Sequence, residues 1–480
     1  MRIRTTTRAL LLLLASAALH GASAGDSYDY GIFASKLRDV DNATAFKALG
    51  PLVEHREARD DSDFFAIRPF YSDLSTPFFE RSRQEYLWPL ATIRHFKDQL
   101  NWRALILAHG IDFDVNDPQS PYRFRVLPIY FQGRNSAGKD YLAVFPLGGT
   151  IYDILGRDKA TFVLFPLWTR SSVNDVVTTD WLWPIVSKTS GPGVSRFRVF
   201  PFYGYSFRQD RFRKRFILWP FWTDAVWTTP GESGSGFILF PLFGHSKTEI
   251  EETWNFLPPF FRFTDGEKRD LIYAPWPFFQ MIDDEDLQKL YFWPLWGRKE
   301  IGALQSSFLL WPLGWQRRLD MGERERIRTM FLPFYYHFRL QTQFDREESG
   351  SEVLERYLQI WPLFAYEREG ERSSFSFPEL WPGPTLGPIE RNWAPIWRLY
   401  TRQRRDDRVD TELLWGLFRH RREGQHARET TLFPLFSCER DGEDRGWSFL
   451  NGLAGMSRNG TNRTMRLLYI FEFGDGGDKQ

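Results

Sequence analysis

The chain has 480 residues, and its 62 basic and 61 acidic side chains leave a formal charge of +1. That balance gives no global basic field, so no nucleic-acid partner is expected. Hydrophobic residues at 42% exclude a disordered chain, and 45 Phe, 20 Trp, 36 Gly and 29 Pro exclude an ordinary helical bundle in favour of strands and turns.

Residues 1–24 read as a secretory signal peptide. Arg2, Arg4 and Arg8 supply the positive start, residues 9–19 the short apolar run, and Ala22-Ser23-Ala24 the small-residue cleavage site before Gly25. The expectation is an exported chain, in the bacterial outer membrane or alternatively the periplasm. No later segment approaches 18 uninterrupted apolar residues, so no helical span is expected. Residues 25–50 form a lead-in. The single cysteine, Cys438, allows no internal disulfide and has no evident base beside it.

An internal repeat then runs along residues 51–473, read as a single β domain. Its unit is an aliphatic residue, Phe/Trp/Leu, Pro, Leu/Phe/Ile and usually an aromatic, as in VLFPLW (163–168), LWPFW (218–222), LFPLF (239–243) and FWPLW (292–296). The motif prolines Pro128, Pro146, Pro166, Pro184, Pro201, Pro220 and Pro241 are 17 to 21 residues apart. Pro277, Pro294, Pro312 and Pro333 repeat the interval, and Pro362 and Pro434 carry it towards the end. Residues 365–395 fit worst and read as an inserted loop; residues 474–480 form a tail.

The fold class expected is all-β. Each unit is taken as one strand, giving about 20–22 repeated antiparallel strands in a meander. Asp265-Gly266, Glu423-Gly424, Asp441-Gly442 and Asn459-Gly460 mark tight turns between motif cores. With those turns alone reversing the chain, the apolar cores fall at mid-strand and form a belt about 23 Å tall. Such a belt resembles that of bacterial outer-membrane barrels, and the resemblance implies closure into a large barrel. The aromatic alternation Leu467, Tyr469, Phe471, Phe473 loosely resembles the last strand of those barrels. Two features oppose closure as a pore: the motif is apolar on both faces, and proline cannot donate to a ladder. The alternatives are a soluble folded or wrapped sheet and a β-solenoid.

Chemistry-bearing patterns are sparse. None of the eight His stands in an H-E-x-x-H pair, and His420 and His426 read as lying in an Arg-rich loop. Asp112, Asp114 and Asp117 form a weak metal candidate: the loop lacks the Gly and Glu of a calcium-binding loop. No catalytic residue and no cofactor is expected. The function expected is that of a non-enzymatic cell-envelope protein, an outer-membrane barrel with a structural role or one as an export conduit for apolar or amphipathic cargo. Membrane lipid is the expected partner, with other envelope proteins possible. A soluble periplasmic binding or scaffold protein is the alternative, and a carbohydrate-active enzyme the third reading.

Overall fold

The structure, a computed structural model, describes residues 27–474 apart from 59, 155, 343–352 and 461. Residues 1–24, read above as a signal peptide, and residues 475–480 of the tail lie outside the described residues. Among the described residues the chain folds into 46 strands, mostly of five or six residues, with only short helical turns. It divides into two compact units. Among the described residues, one comprises 27–97, 333–342 and 353–474, the other 98–332. Within each unit, strands that follow one another pair antiparallel, so the all-β meander is the observed architecture.

The strand count is twice the expected one. All thirteen motif prolines lie in turns rather than at mid-strand, and twelve of them follow a cis peptide, Pro333 being the exception. In the segment 176–191, Val176–Trp181 and Val186–Gly191 are paired strands, and Leu182-Trp183-Pro184-Ile185 is the turn between them. The Ile185 N–H donates to the Leu182 carbonyl at 2.8 Å, with Pro184 at the third turn position, which is a type VI turn. A proline without an N–H fits there and would break a central ladder. The second turn of each repeat is polar. Asn174-Asp175 closes Val173 against Val176, both turn residues having positive φ as a two-residue hairpin loop requires. One repeat is thus a complete hairpin: strand, polar turn, strand, proline turn.

The mid-strand belt is corrected by the same finding. The apolar motif occupies one edge of the sheet, and strand centres carry charge, as in Arg213-Lys214-Arg215 and Arg421-Arg422. The barrel is not formed either. Among the described residues Tyr28–Asp29 pairs only with Ala34–Arg38, and Phe471–Gly474 only with Asn462–Leu467. Instead, in the first unit, the N-terminal hairpins lie against the C-terminal strands through side chains, which fits the wrapped-sheet alternative. Asp29 meets Arg419, Lys47 meets Glu412, and Gly31 backs onto the Phe433 ring.

The worst-fitting stretch is shorter than expected. Phe364–Glu369 and Arg372–Phe377 are regular strands, and irregular chain starts at Pro378. Two short helices follow, Gly387–Asn392 and Ala394–Trp397. They cover the hairpin of Tyr71–Thr76 and Arg81–Tyr86: Arg391 and Asn392 bind the fully buried Glu85 at 2.8 and 2.6 Å. In the second unit the buried apolar core is small, Phe131, Ala143, Ile151 and Phe162 from adjoining strands. Much of the remaining buried surface is hydroxyl, such as the Thr253–Thr264 pair at 2.9 Å.

Candidate functional site

Two features stand out. The first is the proline-turn edge. Successive proline turns bond to one another. The Trp183 N–H donates to the Pro166 carbonyl at 2.8 Å, Trp219 to Pro201 at 2.7 Å and Trp311 to Pro294 at 2.7 Å. The rings that precede proline then meet in tilted pairs along the edge. Phe165 lies 5.6 Å from Trp183, Phe200 lies 5.4 Å from Trp219, and Trp293 lies 5.8 Å from Trp311. The turn tips are open to solvent: Phe202, Phe221, Leu242 and Leu295 are 57–61% exposed. The residues beside the turns are also apolar, Trp181 opposite Val186, Leu239 opposite Phe243 and Phe292 opposite Trp296. The apolar zone is two to three residues high, about 7–10 Å. The other edge, with turns such as Asn174-Asp175, Glu267-Lys268 and Glu285-Asp286, is polar.

The second feature is a charged interior in the first unit. A cavity of about 650 Å³ is lined by eight cations and seven carboxylates, including Lys47, Glu54, Arg68, Asp410, Glu412 and Arg419. Lys47 meets Glu412 at 2.7 Å, Arg68 meets Glu54 at 2.5 Å and Arg405 meets Asp41 at 2.9 Å. Burial opposes the Lys47 charge, yet Glu412 and Glu54 beside it raise its pKa above the ordinary lysine range. Burial likewise opposes the Glu412 charge, and Lys47 and Arg419 hold its pKa below the ordinary carboxylate range. Asp410 behaves differently. Burial outweighs its cationic neighbours and raises its pKa; its Oδ1 accepts no hydrogen bond, and Arg421 stays 3.8 Å away. The lining charges nearly cancel within the cavity. This interior therefore welds the N-terminal hairpins to the C-terminal strands, and it offers no surplus charge to a ligand.

The metal candidates fold into their own loop. Asp112 Oδ1 accepts from Ser120 Oγ at 3.0 Å, Asp114 Oδ1 from the Asn116 N–H at 2.9 Å and Asp117 Oδ1 from the Gln119 N–H at 2.9 Å. Among the described residues, no group of three or more His, Cys, Asp or Glu side chains is placed to hold a metal. His420 lies in the strand Phe418–Glu423, not in a loop, with Nδ1 2.8 Å from Thr430 Oγ1. Cys438 is a free, exposed thiol in Phe436–Asp441. The charged interior went unread in the sequence. Its one signal is the recurrence of charged residues at alternate positions within strand-length segments, such as Arg408, Asp410 and Glu412.

Among the described residues no helix is long and apolar enough to cross a membrane, which says nothing of crossing by strands. No protein-family model matches the chain, and no curated protein matches it.

Proposed function

We propose that this is a non-enzymatic scaffold of the cell envelope that lies on a lipid surface, its proline-turn edge seated in the membrane interface. The repeated, solvent-exposed Trp, Phe and Leu side chains of the proline turns at that edge carry the reading. Soluble proteins seldom expose contiguous apolar surface beyond a few hundred Å² unless something covers it. Magnitudes favour lying on the membrane over spanning it. A spanning strand needs about 9–11 residues and an apolar band about 25 Å tall. The strands here have mostly five or six residues, and several, such as Phe212–Ile217, carry charge at the centre. An apolar zone of about 7–10 Å matches the depth to which interfacial elements sink, about 5–10 Å. Tryptophan suits that depth, with an apolar body and one N–H to leave at the wet side. The outer-membrane barrel expected from the repeat loses its premise, because the apolar motif is at an edge.

The test is flotation of the purified mature chain with phospholipid vesicles, followed by alkaline carbonate extraction. Co-flotation with release by carbonate supports the reading. A chain that stays at the bottom of the gradient with every vesicle contradicts interfacial binding. A chain that carbonate cannot release contradicts a peripheral mode.

A further inference from the structure

The second unit carries a charge asymmetry between the two faces of its sheet. Backbone register places one residue from each of nineteen successive strands in a single cross-strand row, from Ala160 through Ser171, Thr178 and Thr189 to Arg328. Six of those positions are cations, Arg196, Lys214, Lys289, Lys299, Arg317 and Arg328, and none is a carboxylate. Row neighbours share one face of the sheet, because side chains alternate along a strand. The next row out, on the opposite face, is mixed: it holds Glu252, Asp265, Asp270, Asp283 and Glu300 together with Arg213, Lys247 and Arg318. The chain is thus nearly neutral overall, while this face carries two basic groups, Arg196 with Lys214 and Lys289 with Lys299, Arg317 and Arg328, separated by seven uncharged positions of which Thr253, Thr264, Leu271 and Ile282 are buried.

Among the described residues Arg196, Lys214, Lys299 and Arg317 make no ion pair, and Arg196, Lys214 and Arg317 are exposed. Lys289 and Lys299 are direct cross-strand partners, an arrangement that costs stability unless an anion sits between or beside them. Burial, and then the neighbouring Lys299, lower the Lys289 pKa, and the Lys289 Nζ donates to the neutral Gln280 Oε1 at 2.6 Å rather than to a carboxylate.

We propose that this row binds the anionic headgroups of the lipid in which the proline-turn edge sits. The inference rests on the interfacial reading and deepens it by naming the lipid class. Position selects the occupant. The row stands three residues above the apolar residues that flank the turns, about 10 Å along the strand. With the edge sunk to the acyl boundary, the cations reach the level of phosphate groups. A soluble polyanion has no use for the apolar edge alongside.

The experiment uses the full chain, with vesicles of phosphatidylcholine alone and vesicles in which part of it is replaced by phosphatidylglycerol. Wild type binds the anionic vesicles more tightly. Replacing Lys214, Lys289, Lys299 and Arg317 by Gln, singly and together, lowers that preference about fivefold for each cation removed and leaves binding to neutral vesicles unchanged. Lys289→Arg with Lys299→Arg keeps the preference. Arg170→Gln and Lys188→Gln, on the opposite face, leave it nearly intact. The proposal is overturned if the Gln variants, with thermal midpoints like wild type, retain the full preference. It is also overturned if the opposite-face variants lose as much, or if free polyphosphate binds as tightly as the anionic vesicles. Failure of wild type to bind any vesicle removes the interfacial reading itself, an outcome distinct from binding both vesicle types equally.

Discussion

Trp293 and Trp311, one repeat apart in sequence, stand with ring centroids 5.8 Å apart at the edge of the sheet, and the Trp311 N–H donates to the carbonyl of Pro294 at 2.7 Å. The turns therefore extend the strand ladder beyond the strands, and the rings form a strip in place of isolated tips. That strip has little chain packed over it, since Trp311 remains 52% exposed.

Charging the turn tips separates binding from folding. Phe202→Glu, Phe221→Glu and Leu242→Glu are made at sites already 57–61% exposed, so each changes folding stability by roughly 0.5 kcal/mol or less. Each also removes an apolar side chain from the interface, a loss of about 1.5–3 kcal/mol of vesicle binding. Thermal melts and flotation on the same samples check the split. Equal losses in both would show that the tips are packing residues.

The weld between Asp29 and Arg419 is a buried pair at 2.5 Å, with Arg419 4% exposed. Asp29→Ala leaves the guanidinium short of a partner, Glu412 being 3.7 Å away, and is expected to cost about 3–5 kcal/mol. Asp29→Ala combined with Arg419→Met costs less than the first change alone, because the stranded charge is gone. Chemical denaturation of wild type, Asp29→Ala, Arg419→Met and the double variant completes the cycle. A double variant worse than the sum of the singles would contradict the pairing.

Asp410 gives a pH signature. Its folded pKa is raised by burial, so its ionised form destabilises the fold at pH values above that pKa, and the penalty is absent below the ordinary value of 3.8. Asp410→Asn therefore raises the melting temperature at pH 7, and the gain shrinks to nothing as pH falls below about 3.8. Glu412 has the opposite sign. Its depressed pKa stabilises the fold above the ordinary value of 4.5, and that contribution is lost as pH falls through the depressed value. Glu412→Gln accordingly destabilises at pH 7. Melting curves against pH for both variants test the signs independently.

The hydroxyl pair Thr253 and Thr264 tests the polar packing of the second unit. Both are buried, with oxygens 2.9 Å apart. Either Thr→Val alone strands its partner and costs about 1–3 kcal/mol, whereas the double change is close to neutral. Additive losses in denaturant melts would show that each hydroxyl has its own partner.

The sequence discloses the all-β class, the antiparallel meander and the polar turns, because β-rich segments and Gly-containing turns are local signals. It misleads on the proline. The segments between Pro434 and the turn at Gly442, and between that turn and Gly452, are each the length of one short strand plus turn residues. Taking proline as a mid-strand residue merged two such strands into one and moved the apolar residues from an edge to a belt. Pairs such as Asp29 with Arg419 were not legible. They join residues 390 positions apart, and only the wrapping of the first unit brings them together.

The most direct measurement of interfacial seating is site-specific depth. In a Cys438→Ser background, Phe221→Cys places a label at a proline turn, and Glu285→Cys places one at a polar turn. With the chain on vesicles, a spin label at 221 should lie about 5–10 Å below the headgroup boundary, shielded from water-soluble relaxants. The label at 285 should remain in water. Both labels open to water would contradict insertion of the edge, and both labels at depth would contradict a sheet that lies on the membrane rather than within it.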